Sequence, residues 1–232
     1  MPSAPRSTAC AEASAVVFDL DGVLIESEGV WDEARRAVVA EAGGSWREGA
    51  TREMLGMSAL EWSAYLHEQL GADLAPAQIG ERVVDRVLER YRRSLPLLPG
   101  AVAAVESLAG RWPLGLASSA NREVIDEVLR LARLEGRFAV TVSSEEVSHG
   151  KPAPDVYLAA IEALGVAAGA AVAVEDSTNG LRAAAAAGMR VIAVPNRQFP
   201  PSPDALALAD LTLSSLELLN PQTIGSLGDQ PG

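Results

Sequence analysis

The sequence has few of the residues from which disulfide and soft-metal chemistry is built. Across 232 residues there is one cysteine, Cys10, and there are two histidines, His67 and His149. A single thiol cannot close an intrachain disulfide, and this set is too small for a Cys/His zinc site, so a reducing compartment, the cytoplasm, is the expected home. Basic residues are outnumbered: 19 Lys and Arg stand against 31 Asp and Glu, a net charge of −12. Binding to nucleic acid or to an anionic membrane requires cations to neutralise phosphates, so neither is an expected partner. Long apolar runs are also missing. The most apolar stretch, 158–174, is interrupted by Glu162, Gly165 and Gly169 and falls short of the roughly 20 residues that span a bilayer. Residues 1–15 scatter Pro, Ser, Arg and Glu where a signal peptide would be apolar, and read as a flexible leader over 1–14.

What is present is enough for a core: 48% of residues are hydrophobic, in a length that suits one domain with a smaller module attached. Short apolar runs at 15–20, 114–117, 138–142, 171–174 and 190–194 read as buried parallel strands, with 211–213 a weaker sixth. Helical patterns lie between them: Val124, Ile125, Val128 and Leu129 after a cap at Asn121, Tyr157 to Leu164 before Gly165, and an Ala-rich stretch closed by Gly188. This alternation predicts an α/β fold, a doubly wound parallel sheet of Rossmann-like type. From 29 to 96 the strand signal stops and three helical patterns follow, the middle one opened by a capping-box spacing at Ser58 and Glu61 with Met57 and Trp62 as its hydrophobic staple. An inserted helical cap over 29–96 is therefore expected, splitting a core of 15–28 and 97–220. Pro96 to Gly100 marks the return, and 221–232 is expected to be a flexible tail.

In open parallel sheets the working groups sit just past the carboxyl ends of the strands. Those positions hold Asp19 and Asp21 after the first strand, Ser118 and Ser119 after the second, Lys151 before the helix at Asp155, and Glu175 and Asp176 after the fourth. Four carboxylates gathered at one edge repel unless a cation joins them, and the scarcity of Cys and His points to a hard, oxygen-bound ion such as Mg²⁺. A carboxylate nucleophile, a second carboxylate two residues on, a hydroxyl, a lysine and Mg²⁺ suit phosphoryl transfer. Asp19 and Asp21, two apart in extended chain, point the same way, and Gly22 permits a sharp turn after them.

In their order, Asp19-Leu20-Asp21-Gly22-Val23-Leu24, Ser118, Gly150-Lys151-Pro152, and Glu175-Asp176-Ser177 with Asn179-Gly180 resemble the four motifs of the haloacid dehalogenase-like hydrolase superfamily. The helical insert sits where that family carries its small cap. The resemblance implies Asp19 as nucleophile and Asp21 as general acid and then base. It implies Mg²⁺ held by Asp19, the Asp21 backbone carbonyl and Asp176. Ser118, the Ser119 backbone and Lys151 would bind the phosphoryl oxygens, and Glu175 would lie in or next to the layer of groups supporting the metal ligands. The presence of Asp21 argues against the dehalogenase branch.

Residues 24–28, Trp31 and 97–100 look like the sugar-phosphate and hexitol-phosphate phosphatases, near neighbours of β-phosphoglucomutase. That mutase branch has a histidine where this chain has Trp31, which favours hydrolysis. The expected partner is a small phosphorylated metabolite; a monomer is compatible with the sequence. The alternatives are a phosphomutase and, outside enzymes, a receiver-like phospho-accepting module. Plainer roles stand beside these: Ser177 as a helix cap, Glu175 as a structural partner, Trp31 as cap core or pocket wall, and both histidines as surface residues.

Overall fold

The computed structural model describes residues 12–54 and 57–227. Strand β1 (Ala15–Phe18) is followed by α1 (Glu28–Glu41), α2 (Ala50–Glu53), α3 (Ala59–Glu68), α4 (Pro76–Arg93) and α5 (Ala101–Ala109) before β2 (Leu114–Ser118). The alternation then runs α6 (Arg122–Ala132), β3 (Val140–Ser143), α7 (Asp155–Leu164), β4 (Ala171–Glu175), α8 (Thr178–Ala186), β5 (Arg190–Ala193), α9 (Pro203–Leu206), β6 (Leu211–Thr212) and α10 (Pro221–Ser226). The strands form one parallel sheet in the order β3-β2-β1-β4-β5-β6, with Val16 opposite Leu114 on one side and Val172 on the other.

The sheet is apolar on both faces because helices cover both. Val16, Phe18, Leu116, Val174 and Ile192 pack into one buried cluster, while the alternating Val17, Ala117, Ala173 and Val191 pack into the other with α7 and α8. The first cluster runs on without a break into the inserted helices through Val38, Leu66, Val83 and Tyr91. The chain leaves and re-enters the sheet through two segments that clasp each other: Glu26 N donates to Pro96 O at 2.8 Å and Leu98 N to Leu24 O at 3.0 Å. Gly100 closes that return at φ +81°, where a side chain would collide with the Glu217 backbone 2.7 Å away.

Several local expectations change. Strand β1 ends at Phe18, two residues early, because Leu24 N turns back to Leu20 O. The insert holds a fourth helix, α2, whose four residues are too short to show a period. Asn121 is the residue before α6, yet its side chain does not cap it: the Glu145 carboxylate accepts from Arg122 N at 2.9 Å and from Asn121 Nδ2 at 2.6 Å. The flexible tail expected from 221 is instead the helix α10, capped by Asn220 and anchored by buried Ile224 and Leu227; residues 228–232 lie outside the described residues. Of the expected leader, Ser14 N donates to Ala170 O and Ala13 O accepts from Trp112 Nε1, while residues 1–11, including Cys10, lie outside the described residues, as does Gly56. Among the described residues no helix is long and apolar enough to cross a membrane.

Candidate active site

Parallel strands end together, so the polar residue that follows each β1, β2 and β4 end arrives at one edge. Asp19 is the first residue past β1, its amide tied to Val174 O on β4, and Gly22 at φ +78° lets the chain reverse. A side-chain atom at Gly22 would lie 2.0 Å from Asp176 Oδ2, so the close approach of the Asp19–Asp21 turn to Asp176 depends on glycine.

Lys151 is the hub. Its Nζ lies 2.8 Å from Asp19 Oδ1, 2.6 Å from Glu175 Oε1 and 3.0 Å from Ala117 O, which accounts for its three hydrogens. Tyr157 OH, 3.3 Å from the same nitrogen, donates to Glu175 Oε1 at 2.7 Å. The other Glu175 oxygen accepts from the amides of Asp176 and Ser177 and from Ser177 Oγ. Glu175 is thus fully engaged in holding Lys151 and the start of α8. Ser177 caps that helix, its Oγ accepting from Gly180 N at 3.0 Å.

Burial dominates the electrostatics. It pushes the Asp19 carboxyl up to about 8, opposed by Lys151 and reinforced by Glu175 and Asp21. It raises Asp176 well above the carboxylate range, with Glu175 and Asp19 adding to it. Asp21 is raised by the same cause, opposed by the neighbouring Ser27 and Ser118 hydroxyls and by Lys151. Burial alone would lower Lys151; the Asp19 and Glu175 charges override it and hold the ammonium protonated. Such a set is short of positive charge. The Asp19, Glu175 and Asp176 carboxylates can each offer an oxygen within 4.8 Å of the others, and Asp176 Oδ1 and Asp21 Oδ1 are buried without a hydrogen-bond partner. This donor set fits a hard divalent cation.

A cavity opens over these groups. Asp19, Asp21, Ser119, Asn121, Lys151 and Asp176 line it from the sheet edge; Glu28, Trp31, Arg35, Met54, Met57 and Trp62 line it from the helical insert. Ser118 sits behind this wall, fully buried, its Oγ accepting from Ala120 N at 3.0 Å and 3.4 Å from Asp21 Oδ2. Trp31 and Trp62 meet edge to face at 6.0 Å, so Trp31 is both cap core and cavity wall, and the staple residues Met57 and Trp62 face the cavity too. His67 and His149 lie away from it, bonded to Ala72 O and to Asp155. Burial pushes Glu28 up to about 7, with Arg35 opposing and Asp21 adding. Sequence reading passed over Arg35 and Met54. The signal at Arg35 is a cation one helical turn after Trp31, on the stripe that also carries Ala34 and Val38.

Residues 13–188 match the family model described as haloacid dehalogenase-like hydrolase. The chain is 36% identical over 205 residues to hexitol phosphatase B of Escherichia coli (strain K12), covering 87% of this chain and 92% of that one. It is 34% identical over 179 residues to the phosphorylated carbohydrates phosphatase of Thermotoga maritima, covering 77% and 83%. Among solved structures, CbbY from Rhodobacter sphaeroides in complex with phosphate superposes with a TM-score of 0.81 at 29% identity, over 92% of this chain and 99% of that one.

Proposed function

Because the chain belongs to the haloacid dehalogenase-like hydrolases and is a phosphatase of that family, we propose that it hydrolyses phosphate monoesters of sugars or polyols, in the cytoplasm, through an aspartyl-phosphate intermediate. The observation that carries this reading is the arrangement around Lys151, which pins one oxygen of Asp19 and leaves Asp19 Oδ2 without a hydrogen bond among the described residues. The names of the two curated relatives support sugar and polyol phosphates as the substrate class.

Asp19 Oδ2 attacks phosphorus in line; the new bond is Asp19 O–P and the bond that breaks joins phosphorus to the sugar oxygen. Asp21, whose raised proton affinity suits a general acid, protonates that oxygen as it leaves. A water then attacks phosphorus, Asp21 takes its proton, and Asp19 is regenerated. Lys151 offsets charge on the phosphoryl oxygens, and the backbone at Ser119 donates to them from the cavity wall. Asp19 and Asp176, with the Asp21 carbonyl that the family resemblance implies, would hold Mg²⁺, which would supply positive charge to offset that of the phosphoryl group. The helical insert, as a cap domain over 29–96, would exclude water during the transfer to Asp19.

The family membership and the insert between β1 and β2 speak against the receiver-like alternative. With Mg²⁺ and an aryl phosphate, wild type should turn over and Asp19→Asn should lose at least about 10³-fold in kcat; comparable activity in the variant overturns the nucleophile assignment. Free inorganic phosphate as the product from β-glucose 1-phosphate, rather than glucose 6-phosphate, separates hydrolysis from mutase activity.

A further inference from the structure

Arg35 lines the catalytic cavity from α1 and is only 8% exposed. Its guanidinium carbon lies 5.3 Å from the Trp31 ring centroid and 5.1 Å from that of Trp62. A ring attracts the cation but offers no lone pair to its N–H groups, so these contacts leave the guanidinium donors without acceptors. Among the described residues none accepts a hydrogen bond from Arg35, and its Nε is buried without a partner. Three carboxylates act on it electrostatically, Glu28, Asp32 and Asp21, and do not close the gap. Asp32 is engaged by Arg36 Nε at 2.6 Å and by Thr51, and neither Glu28 nor Asp21 forms an ion pair with Arg35 among the described residues. A buried, unpaired guanidinium is costly, and a fork of donors facing a cavity matches a carboxylate or phosphate held by two parallel hydrogen bonds.

The phosphoryl group that is transferred already has its cations at the sheet edge, where Lys151 stands beside Asp19. Arg35 belongs to the opposite wall of the cavity, the one that the insert supplies. Resting on the phosphatase reading above, we propose that Arg35 is a specificity-determining residue that pairs with a second anionic group of the substrate, remote from the ester being cleaved. The preferred substrates are then phosphorylated sugars or polyols that carry an additional phosphate or carboxylate.

The test compares kcat/KM along one six-carbon frame: glucitol 6-phosphate, with a neutral far end; 6-phosphogluconate, with a carboxylate there; and glucitol 1,6-bisphosphate, with a phosphate. An aryl phosphate serves as the reference for the core reaction. Wild type should favour at least one of the two doubly anionic compounds over glucitol 6-phosphate by about tenfold or more, and which one it favours identifies the anion. Arg35→Met should shrink that ratio by roughly 10- to 100-fold, the range expected for hydrogen bonds to a charged group; Arg35→Lys should retain part of it. A wild-type ratio near one overturns the proposal, as does a ratio that Arg35→Met leaves unmoved. An equal fall on all four compounds would put Arg35 on the transferred phosphoryl group and also overturn it. If Arg35→Met does not fold, the wild-type ratio and Arg35→Lys decide. Failure of the phosphatase reading shows separately, as no Asp19-dependent hydrolysis of the aryl phosphate.

Discussion

At Glu175 both carboxylate oxygens are committed, Oε1 to Lys151 and Tyr157 and Oε2 to the amides that open α8. The residue that makes room for this is Gly180, where a Cβ would stand 1.8 Å from Glu175 Oε1. In an exposed helix a Gly to Ala change stabilises by about 1 kcal/mol. Here the opposite sign is expected. Gly180→Ala should push Glu175 off Lys151, lower aryl-phosphate turnover by about 10- to 100-fold and lower the melting temperature. A variant that is more stable than wild type and equally active would show that Glu175 does not position the lysine. The same residues mark the limit of sequence reading at this scale. Asp19, Asp21, Lys151 and Asp176 announce themselves by type and place, whereas Glu175 reads equally as a structural partner, because Lys151 and Tyr157 are 24 and 18 residues away. Arg35 has the same difficulty: its meaning depends on Trp62, which another helix supplies.

Helix α3 was legible because its signal is local: Ser58 accepts from Glu61 N while the Glu61 carboxylate accepts from Ser58 N, all within four residues. The start of α6 was not, since its capping carboxylate, Glu145, comes from the turn after β3. Long-range ties of this kind also join the insert to the sheet. Glu127 on α6 accepts from Arg130 Nε in its own helix and from Arg92 Nε on α4, each at 2.7 Å. Arg130 first, then Arg92, hold the Glu127 carboxyl down at about 2, below its ordinary value of 4.5. A carboxyl with a lowered folded-state pKa stabilises the fold above the unfolded value and loses that contribution as pH falls through the folded one. The two Arg side chains are 55% and 54% exposed, so solvent screening limits the effect to under about 1 kcal/mol. Urea unfolding should find Glu127→Gln less stable than wild type by that amount at pH 6, with the difference closing between about pH 4.5 and 2; a gap that is constant across this range would refute the assignment.

For the molecule as a whole, the net charge of −12 poses a problem that the site resolves locally. A phosphate ester approaching an acidic protein needs a patch of positive potential, and the cavity offers Lys151 and Arg35, with Asp19 and Asp176 placed to hold a cation. Burying Asp19, Glu175 and Asp176 together also weakens the metal-free fold, so a cation that binds only the native state should stabilise it. At a Mg²⁺ concentration of about 100 times Kd the gain is about 2.7 kcal/mol, or roughly 5–10 °C in Tm for a chain of this size. Asp176→Asn should raise the Tm of the metal-free protein, by removing a buried charge, and abolish the Mg²⁺ response. A Tm that ignores Mg²⁺ in wild type, or an equal shift in both proteins, would exclude this cluster as the metal site.

By itself the sequence determined the α/β alternation, the helical insert and the polar residues at the strand ends, because strand period, helix period, capping boxes and turn glycines are properties of a few neighbouring residues. The tertiary structure alone decided what those residues do to one another. It decided that Ser118 lies behind the cavity wall and Ser119 on it, that the chain from Pro221 folds back as a helix on Ile224, and that an arginine from α1 packs against two indoles over the site. Each of these depends on contacts between segments far apart in the chain, whose partners are fixed only when the sheet and the insert bury their shared core.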